Sequence, residues 1–215
     1  MTELRRFSML DHFCLGVDQA LRAVFGSVKT TDRPYPPQGE PESVLNSTER
    51  KHSAALMRIN HAGEVSAQAL YHGQGLVSRS ADIRKKMRQS ALEEGDHLAW
   101  CEKRLIELGS HTSYFNPLWY TGSFMIGLTA GLIGDRWSLG FLAETENQVV
   151  RHLENHLERL PAKDTESQKI LEQMKIDEAE HRDAAINAGA ATLPQPIKKL
   201  MTLVSKVMVK TAYRI

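Results

Sequence analysis

Apolar residues return every three or four positions through most of the chain after residue 46. This spacing places them on one face of a helix, so it predicts helices that bury that face. Capping residues and helix breakers, among them Ser47 or Thr48, Ser80, Gly109 and Pro161, mark the ends of these elements. Strand-like alternation with hairpin signals does not occur. The helices are expected at about residues 48–77, 81–108, 118–134, 136–160, 165–189 and 196–212.

A shorter amphipathic pattern near residues 9–26 comes before a segment rich in proline and charge at residues 32–42. We therefore expect two regions. Residues 1–45 form an N-terminal amphipathic segment with a Pro-rich linker, and residues 46–215 form a helical bundle. The fold class is all-α, and an antiparallel four-helix bundle is the simplest architecture for helices joined by short connections.

The composition narrows the function without identifying it. The chain has 215 residues, of which 41% are hydrophobic and 25% are charged, as in globular proteins with one substantial core. A net charge of +1 gives no general attraction to nucleic acid, and no such partner is expected. Cys14 and Cys101 form neither a disulfide framework nor a thiolate metal site. The first residues show no recognisable secretory signal.

Two Glu-x-x-His pairs occur in similar settings, within EEGDH at residues 93–97 and within DEAEH at residues 177–181. Residues three positions apart on a helix lie on one face, so the two side chains of each pair can hold one ion together. A third pair, Glu49 and His52, lies at a helix start among basic residues. We interpret that pair as solvated surface.

A single Glu comes before each of the two pairs at a similar distance. Glu64 lies 30 positions before Glu94, and Glu146 lies 32 positions before Glu178. Four helices then supply four Glu and two His, which is the scheme of di-metal carboxylate centres in ferritin-like bundles. The predicted metal ligands are Glu64, Glu94, His97, Glu146, Glu178 and His181.

This set of donors suits iron or manganese, because four carboxylates offset the charge of two divalent ions and leave positions open for O₂. Without metal, four inward carboxylates would repel one another and lose their hydration. Glu93 and Asp177 lie four residues before the same histidines, and either compete as ligands or accept hydrogen bonds from ligands; we favour the second. His152, six residues after Glu146, is a further candidate for this outer layer, although a packed or exposed histidine is the simpler interpretation.

Four ordered segments resemble the demethoxyubiquinone hydroxylase family. They are RINHAGEVSAQALYHGQ, EEGDHLAWCEKRLIELG, ETENQVVRHLENHLERLP and DEAEHRDAAINAGA, and the resemblance covers residues 48–215. By position, the family's ligands fall on the same six residues that the spacing selects. The resemblance further implies two iron ions per chain, with Glu94 and Glu178 bridging them.

The resemblance also implies an activity. Members of this family are O₂-dependent di-iron monooxygenases that hydroxylate a polyprenylated methoxy-methyl-benzoquinol, demethoxyubiquinol, in ubiquinone biosynthesis. One oxygen atom enters the ring at its unsubstituted carbon, and the other leaves as water. Because the substrate lies in the bilayer, we expect a peripheral protein on the cytoplasmic face of a bacterial inner membrane. Accessory proteins of the same pathway are expected as further partners.

Two segments are candidates for contact with the membrane. Residues 112–134 carry no charge over 23 positions, close to the length of a span, but they include Pro117 and several glycines. We favour a partly inserted or channel-lining helix near 118–134, bent around Gly131–Gly134; a buried core helix is the alternative. The basic C-terminal segment mixes lysines with Leu, Met and Val, and either lies on an anionic membrane or packs on the bundle.

Three other functions would use parts of the same pattern. A ferritin-like iron oxidase or store would need an acidic, cage-forming surface. A tRNA hydroxylase would need a basic groove with stacking aromatic residues. A non-enzymatic helical protein that binds membranes and partners would bind metal only substoichiometrically. The apolar helix and the near-neutral charge favour the quinol hydroxylase over these alternatives.

Overall fold

The structure is a computed structural model that describes residues 8–26, 28–39 and 44–215. Within those ranges the chain forms seven α-helices and no β-strand, which confirms the all-α class. The helices are α1 (Met9–Phe25), α2 (Ser47–Val77), α3 (Ala81–Glu107), α4 (Asn116–Ile133), α5 (Asp135–Arg159), α6 (Thr165–Asn187) and α7 (Gln195–Ala212).

The helix ends follow local capping chemistry. Asn46 caps α2, because its side-chain oxygen accepts hydrogen bonds from the backbone N–H groups of Thr48 and Glu49, both at 2.9 Å. The predicted caps, Ser47 or Thr48, are therefore one or two residues late. Ser80 caps α3 as expected, since its hydroxyl accepts from the N–H of Ile83.

The bundle consists of α2, α3, α5 and α6. Helices α2 and α5 run antiparallel: Asn60 Oδ1 lies 2.9 Å from His156 Nδ1 near one end, and Gln74 Nε2 donates to the carbonyl oxygen of Ser138 near the other. The four bundle helices enclose a core of fully buried apolar side chains. These include Leu56, Met57, Ile59, Leu105, Leu153, Ile170, Leu171 and Met174.

Helices α3 and α6 are joined by a buried ion pair at the end where α3 stops and α6 starts. Arg104 of α3 lies 2.8 Å from the Asp164 carboxylate, which also caps α6 by accepting from the N–H of Ser167. A cap that is also an ion-pair partner fixes the two helices against each other in antiparallel register.

Helix α4 is the long crossover between the two halves of the bundle, and it packs on α2 in the same direction. Gly127 meets Leu70, and Gly131 meets Gln74 one turn later. A Cβ atom on Gly127 would lie 2.5 Å from the Leu70 carbonyl oxygen, so the close contact requires glycine. The expected bend is instead a break at Gly134, whose φ of 137° ends α4 and starts α5.

Besides α4, three described elements lie outside the four-helix core. Helix α1 packs beside α2 and α4, and the segment 28–39, extended as far as a turn at 36–39, follows it along α3. Helix α7 crosses α5 and α2, since Lys198 pairs with Glu144 and Met208 contacts Ser66. No helix in the described part of the chain combines the length and apolar character that crossing a bilayer needs.

Candidate metal centre

The four bundle helices each bring predicted ligands to one buried site. Glu64 comes from α2, Glu146 from α5, and the two Glu-x-x-His pairs from α3 and α6. The i, i+3 spacing places both members of each pair on the inner face of their helix. The six side chains are almost completely buried, with exposed fractions of 3% for Glu64, 0% for Glu94, 0% for His97, 1% for Glu146, 1% for Glu178 and 8% for His181.

Glu94 and Glu178 lie between the two histidines. Glu94 Oε2 lies 3.0 Å from His97 Nδ1, and its Oε1 lies 3.2 Å from His181 Nδ1. Glu178 repeats this arrangement, with Oε1 3.3 Å from His97 Nδ1 and Oε2 3.6 Å from His181 Nδ1. Each carboxylate therefore presents one oxygen to each imidazole, which is the geometry that two bridging ligands require.

Glu64 and Glu146 stand at opposite sides of this central pair. Glu64 Oε2 lies 3.7 Å from His97 Nδ1. Glu146 faces Glu178, and its Oε1 accepts a 2.8 Å hydrogen bond from the Tyr71 hydroxyl. One half of the site thus consists of Glu64 and His97, the other of Glu146 and His181, with the two central carboxylates between them.

The outer nitrogens of the two histidines are held by carboxylates that come from the opposite helix. His97 Nε2 lies 2.8 Å from Asp177 Oδ2, and His181 Nε2 lies 2.7 Å from Glu93 Oε2. We expected Asp177 and Glu93 beside the histidines of their own segments; each reaches across instead. Since the carboxylate favours a proton on Nε2, Nδ1 is the atom of each ring that could bind a metal ion in place of a proton.

The burial of so many carboxylates carries an electrostatic cost. Burial raises the pKa of Glu64 well above its ordinary value, and the charges of Glu94 and Glu178 raise it further. The pKa of Glu146 is raised by burial and then by the same two neighbours. Although burial opposes the charged form of His97, its four carboxylate neighbours raise the pKa of that imidazole. The charged forms of these buried carboxylates are therefore favoured only with positive charge close to them.

The donor atoms of the site fit metal ions. One oxygen or nitrogen from each of Glu64, Glu94, His97 and Glu178 lies within 4.8 Å of the others, close enough for one ion. In the part of the chain that the structure describes, several buried donor atoms lack a hydrogen-bond partner. They are Glu94 Oε1, both oxygens of Glu178, Glu146 Oε2 and His181 Nδ1. Buried atoms of this kind are costly unless a ligand satisfies them.

His152 and His52 have partners other than the six predicted ligands. His152 packs on His156 with ring centroids 4.0 Å apart, and burial together with Arg159 lowers its pKa to about 4. His52 is half-buried rather than solvated, with Nδ1 2.9 Å from the Tyr213 hydroxyl. Its sequence partner Glu49 closes the capping box of α2. The third Glu-x-x-His pair is therefore structural.

Sequence reasoning missed two residues around the site, Tyr71 and Arg33. Tyr71 lies seven positions after Glu64, two helical turns along the same face, so periodicity alone contained that signal. Arg33 lies 2.8 Å from Asp177 and 3.0 Å from Asp96, and it comes from the segment to which no role was assigned. No spacing rule connects an extended segment to helices more than sixty residues away.

Comparison with known proteins agrees with this site. The family model described as "Ubiquinone biosynthesis protein COQ7" matches residues 51–212. The chain belongs to this family. A COQ7-family relative from Nitrosococcus oceani, named 3-demethoxyubiquinol 3-hydroxylase, is 56% identical over 211 residues, covering 98% of this chain and 99% of the relative. A relative of the same name from Azotobacter vinelandii is 53% identical over 215 residues and covers both chains fully.

A solved structure shares the ferritin-like fold of this COQ7-family chain. It is the bacterioferritin-related protein from Bacteroides fragilis, described as a dodecameric thioferritin, with a TM-score of 0.54 and 17% identity. The match covers 64% of this chain and 84% of the other. It confirms the predicted fold class, and the family match confirms the resemblance seen in the four segments. Fold and buried Glu/His cluster are together compatible with iron binding.

Proposed function

We propose that the protein is a 3-demethoxyubiquinol 3-hydroxylase, an O₂-dependent di-iron monooxygenase of ubiquinone biosynthesis. The observation that supports this best is the pair of carboxylates, Glu94 and Glu178, placed between two inward-facing imidazole nitrogens in a COQ7-family chain. The relatives that match nearly the whole chain carry this enzyme's name. The product gains one oxygen atom from O₂, and the other is released as water with two electrons from an external reductant.

We infer that two iron ions bind in the two halves of the site. One would be held by Glu64 and His97, the other by Glu146 and His181, with Glu94 and Glu178 shared. When bound, iron supplies the activation of O₂, which side chains alone cannot provide.

The surrounding residues have separate tasks in this proposal. Asp177 and Glu93 keep a proton on Nε2 of each histidine and hold both rings in orientation. The Tyr71 hydroxyl donates to Glu146 Oε1 and limits that carboxylate's rotation. The packed bundle excludes water, which prevents loss of the oxidising equivalents to side reactions.

The polyprenyl substrate requires contact with a membrane, and the surface offers an apolar face for it. Along α4, Leu118, Met125 and Leu132 are exposed at spacings of seven residues, with 58%, 53% and 60% of their surfaces accessible. Side chains spaced in this way lie on one stripe of the helix. A stripe of large apolar residues facing outward fits insertion into the headgroup region without a span.

Helix α7 adds a surface suited to anionic lipid. Its exposed apolar side chains, Leu200, Leu203 and Val207, form one side of the helix. Beside them, a cleft of about 570 Å³ between α5 and α7 is lined by Arg151, Lys199 and Lys206, among other residues. Cations next to an apolar stripe are typical of helices that lie on anionic bilayers. We infer a peripheral location on the cytoplasmic face of a bacterial inner membrane.

Quinone profiling tests the function. In a bacterium that lacks its own demethoxyubiquinol hydroxylase, this chain should restore ubiquinone, whereas Glu178→Gln should leave the demethoxy precursor accumulated. Glu172→Gln, an exposed position on the same helix, is the matched control and should behave as the wild type. Iron analysis of each purified variant shows whether loss of activity follows loss of metal. If an iron-loaded wild type leaves the precursor unchanged, the quinol substrate is wrong.

A further inference from the structure

The extended segment before α2 is fixed to α3 at the level of the candidate centre. The backbone N–H of Thr31 donates to Asp96 Oδ1 at 2.9 Å, and the Thr31 hydroxyl also bonds to this carboxylate. Gly95 makes the approach possible, because a Cβ atom there would lie 2.0 Å from the carbonyl oxygen of Lys29. Asp96 and Gly95 stand between the two members of the α3 ligand pair, so the segment passes directly behind it.

Arg33 extends from this segment to both helices that carry the Glu-x-x-His pairs. Its Nε donates to Asp96 Oδ2 on α3 at 3.0 Å, and another guanidinium nitrogen lies 2.8 Å from Asp177 Oδ2 on α6. The guanidinium carbon lies 4.8 Å from the ring centroid of Trp100. Two carboxylates and an aromatic face hold the planar group in one position.

The carboxylate that Arg33 contacts on α6 is the one that holds His97. Asp177 Oδ2 lies 2.8 Å from His97 Nε2, and Asp177 Oδ1 accepts from the Gln173 amide at 2.9 Å. A continuous chain of contacts therefore runs from Arg33 through Asp177 to His97, which turns its Nδ1 toward the site.

The other half of the centre is supported differently. His181 Nε2 contacts Glu93, whose side chain is 31% exposed and is otherwise held by the neutral amide of Gln89 at 2.8 Å. Among the described residues, no Lys or Arg forms an ion pair with Glu93. Arg33 lowers the pKa of Glu93 through its charge, as a minor cause, but it forms no ion pair with that carboxylate, so it supports His181 less directly than His97.

We propose that Arg33 is a positioning residue for one half of the metal centre, acting on His97 through Asp177. The inference rests on the proposed metal site. Without the guanidinium, the Asp177 carboxylate loses its cation and its link to Asp96 and keeps only Gln173 and His97 as partners, so it holds the imidazole less firmly. Removing the outer partner itself typically weakens metal affinity about 10- to 100-fold, and removing Arg33, which acts through that partner, should cost at most about tenfold. The effect should fall on one of the two ions.

Cobalt(II) titration of the full-length metal-free protein, followed by ligand-field absorption and calorimetry, tests this without reference to activity. The wild type should bind two equivalents. Arg33→Gln should weaken one equivalent several-fold, up to about tenfold, and affect the other much less. Arg33→Lys should restore part of the loss, since an ammonium can still pair with one carboxylate. Arg22→Gln, which removes an exposed ion pair with Asp18 on α1, is the matched control.

A double-mutant cycle separates positioning from general loosening of the fold. If Arg33 acts through Asp177, then adding Arg33→Gln to Asp177→Ala should cause no further loss of affinity. Equal weakening of both equivalents, additive effects in the cycle, or an Arg33→Gln protein that binds like the Arg22→Gln control would each overturn the inference. A wild type that binds no cobalt would overturn the metal site itself, a result distinct from failure at Arg33. Thermal unfolding of each apoprotein shows that the variants are folded.

Discussion

The two nitrogens of each site histidine have different roles. In both His97 and His181, Nε2 faces a carboxylate and Nδ1 faces Glu94 and Glu178. A carboxylate at Nε2 favours the proton there, so in the proposed centre Nδ1 would be the nitrogen that binds the metal. In that proposal a residue outside the six predicted ligands sets the tautomer of each histidine.

Away from the centre, His72 illustrates a histidine that folding keeps neutral. Its Nδ1 lies 2.8 Å from the Tyr120 hydroxyl between α2 and α4, and burial lowers its pKa to about 4. In the unfolded chain the imidazole titrates at its ordinary pKa, about 6.5. Between pH 4 and about 6.5, His72 is therefore protonated in the unfolded state but neutral in the folded state.

We expect the stability of the metal-free protein to fall as pH falls from about 6.5 to 4, with a contribution from His72 on the order of 1 to 2 kcal/mol between pH 7 and 5. His72→Gln removes this group and should flatten the profile by that amount. Urea unfolding of both proteins at several pH values measures the difference. Parallel profiles for the two proteins would show that His72 does not titrate as its surroundings imply.

At the scale of elements, the α2–α4 contact depends on small residues. Gly73 on α2 and Gly127 on α4 face each other's backbones, and a Cβ atom on Gly73 would lie 2.4 Å from the Phe124 carbonyl oxygen. Gly127 and Gly131 are four residues apart, a G-x-x-x-G spacing that is weak evidence in a sequence alone. In the structure it marks the surface by which the crossover helix packs on α2.

Gly127→Ala should therefore destabilise the protein by about 1 to 3 kcal/mol, because the added methyl group forces the two helices apart. The control lies five residues earlier on the same helix: at Gly122 a Cβ atom would meet no atom within 4 Å. Gly122→Ala should stabilise the protein by up to about 1 kcal/mol through helix propensity. Denaturant unfolding measures the free energy of unfolding of both variants. Equal changes in the two would contradict the close-contact explanation.

At the scale of the whole molecule, many of the exposed large apolar side chains lie on α1, α4 and α7, the helices outside the four-helix core. Leu10 and Phe25 of α1, Leu132 of α4 and Leu203 of α7 all expose more than half of their surface. Large exposed apolar surfaces on a protein often mark a site that binds another molecule or a membrane. The proposed membrane contact gives these side chains an apolar environment.

Binding to vesicles measures that contact. The double variant Lys199→Glu with Lys206→Glu should bind vesicles containing phosphatidylglycerol at least tenfold more weakly, since each surface cation contributes about 1 kcal/mol. The wild-type affinity should also fall as salt is raised. The control is Lys85→Glu with Lys86→Glu, an equal charge change at exposed positions on α3. If both double variants lose affinity equally, net charge rather than α7 governs binding.

The sequence by itself determined the helices and the six candidate ligands. Helix ends depend on neighbouring residues, as at Ser80, and the i, i+3 spacing fixes which side chains face one another along a helix. These features depend only on residues close together in the sequence, so they can be predicted from it. The repeat of a Glu followed by a Glu-x-x-His pair by itself indicates a four-helix bundle in which each helix supplies ligands.

Only the tertiary structure decided which partners these residues meet. Asp177 reaches His97 rather than its own neighbour His181, because that choice depends on the rotation and offset of α3 against α6. Arg33 contacts the same carboxylate from a segment with no periodic pattern. Contacts between distant segments depend on how the whole chain packs, so they cannot be predicted from local residue spacing.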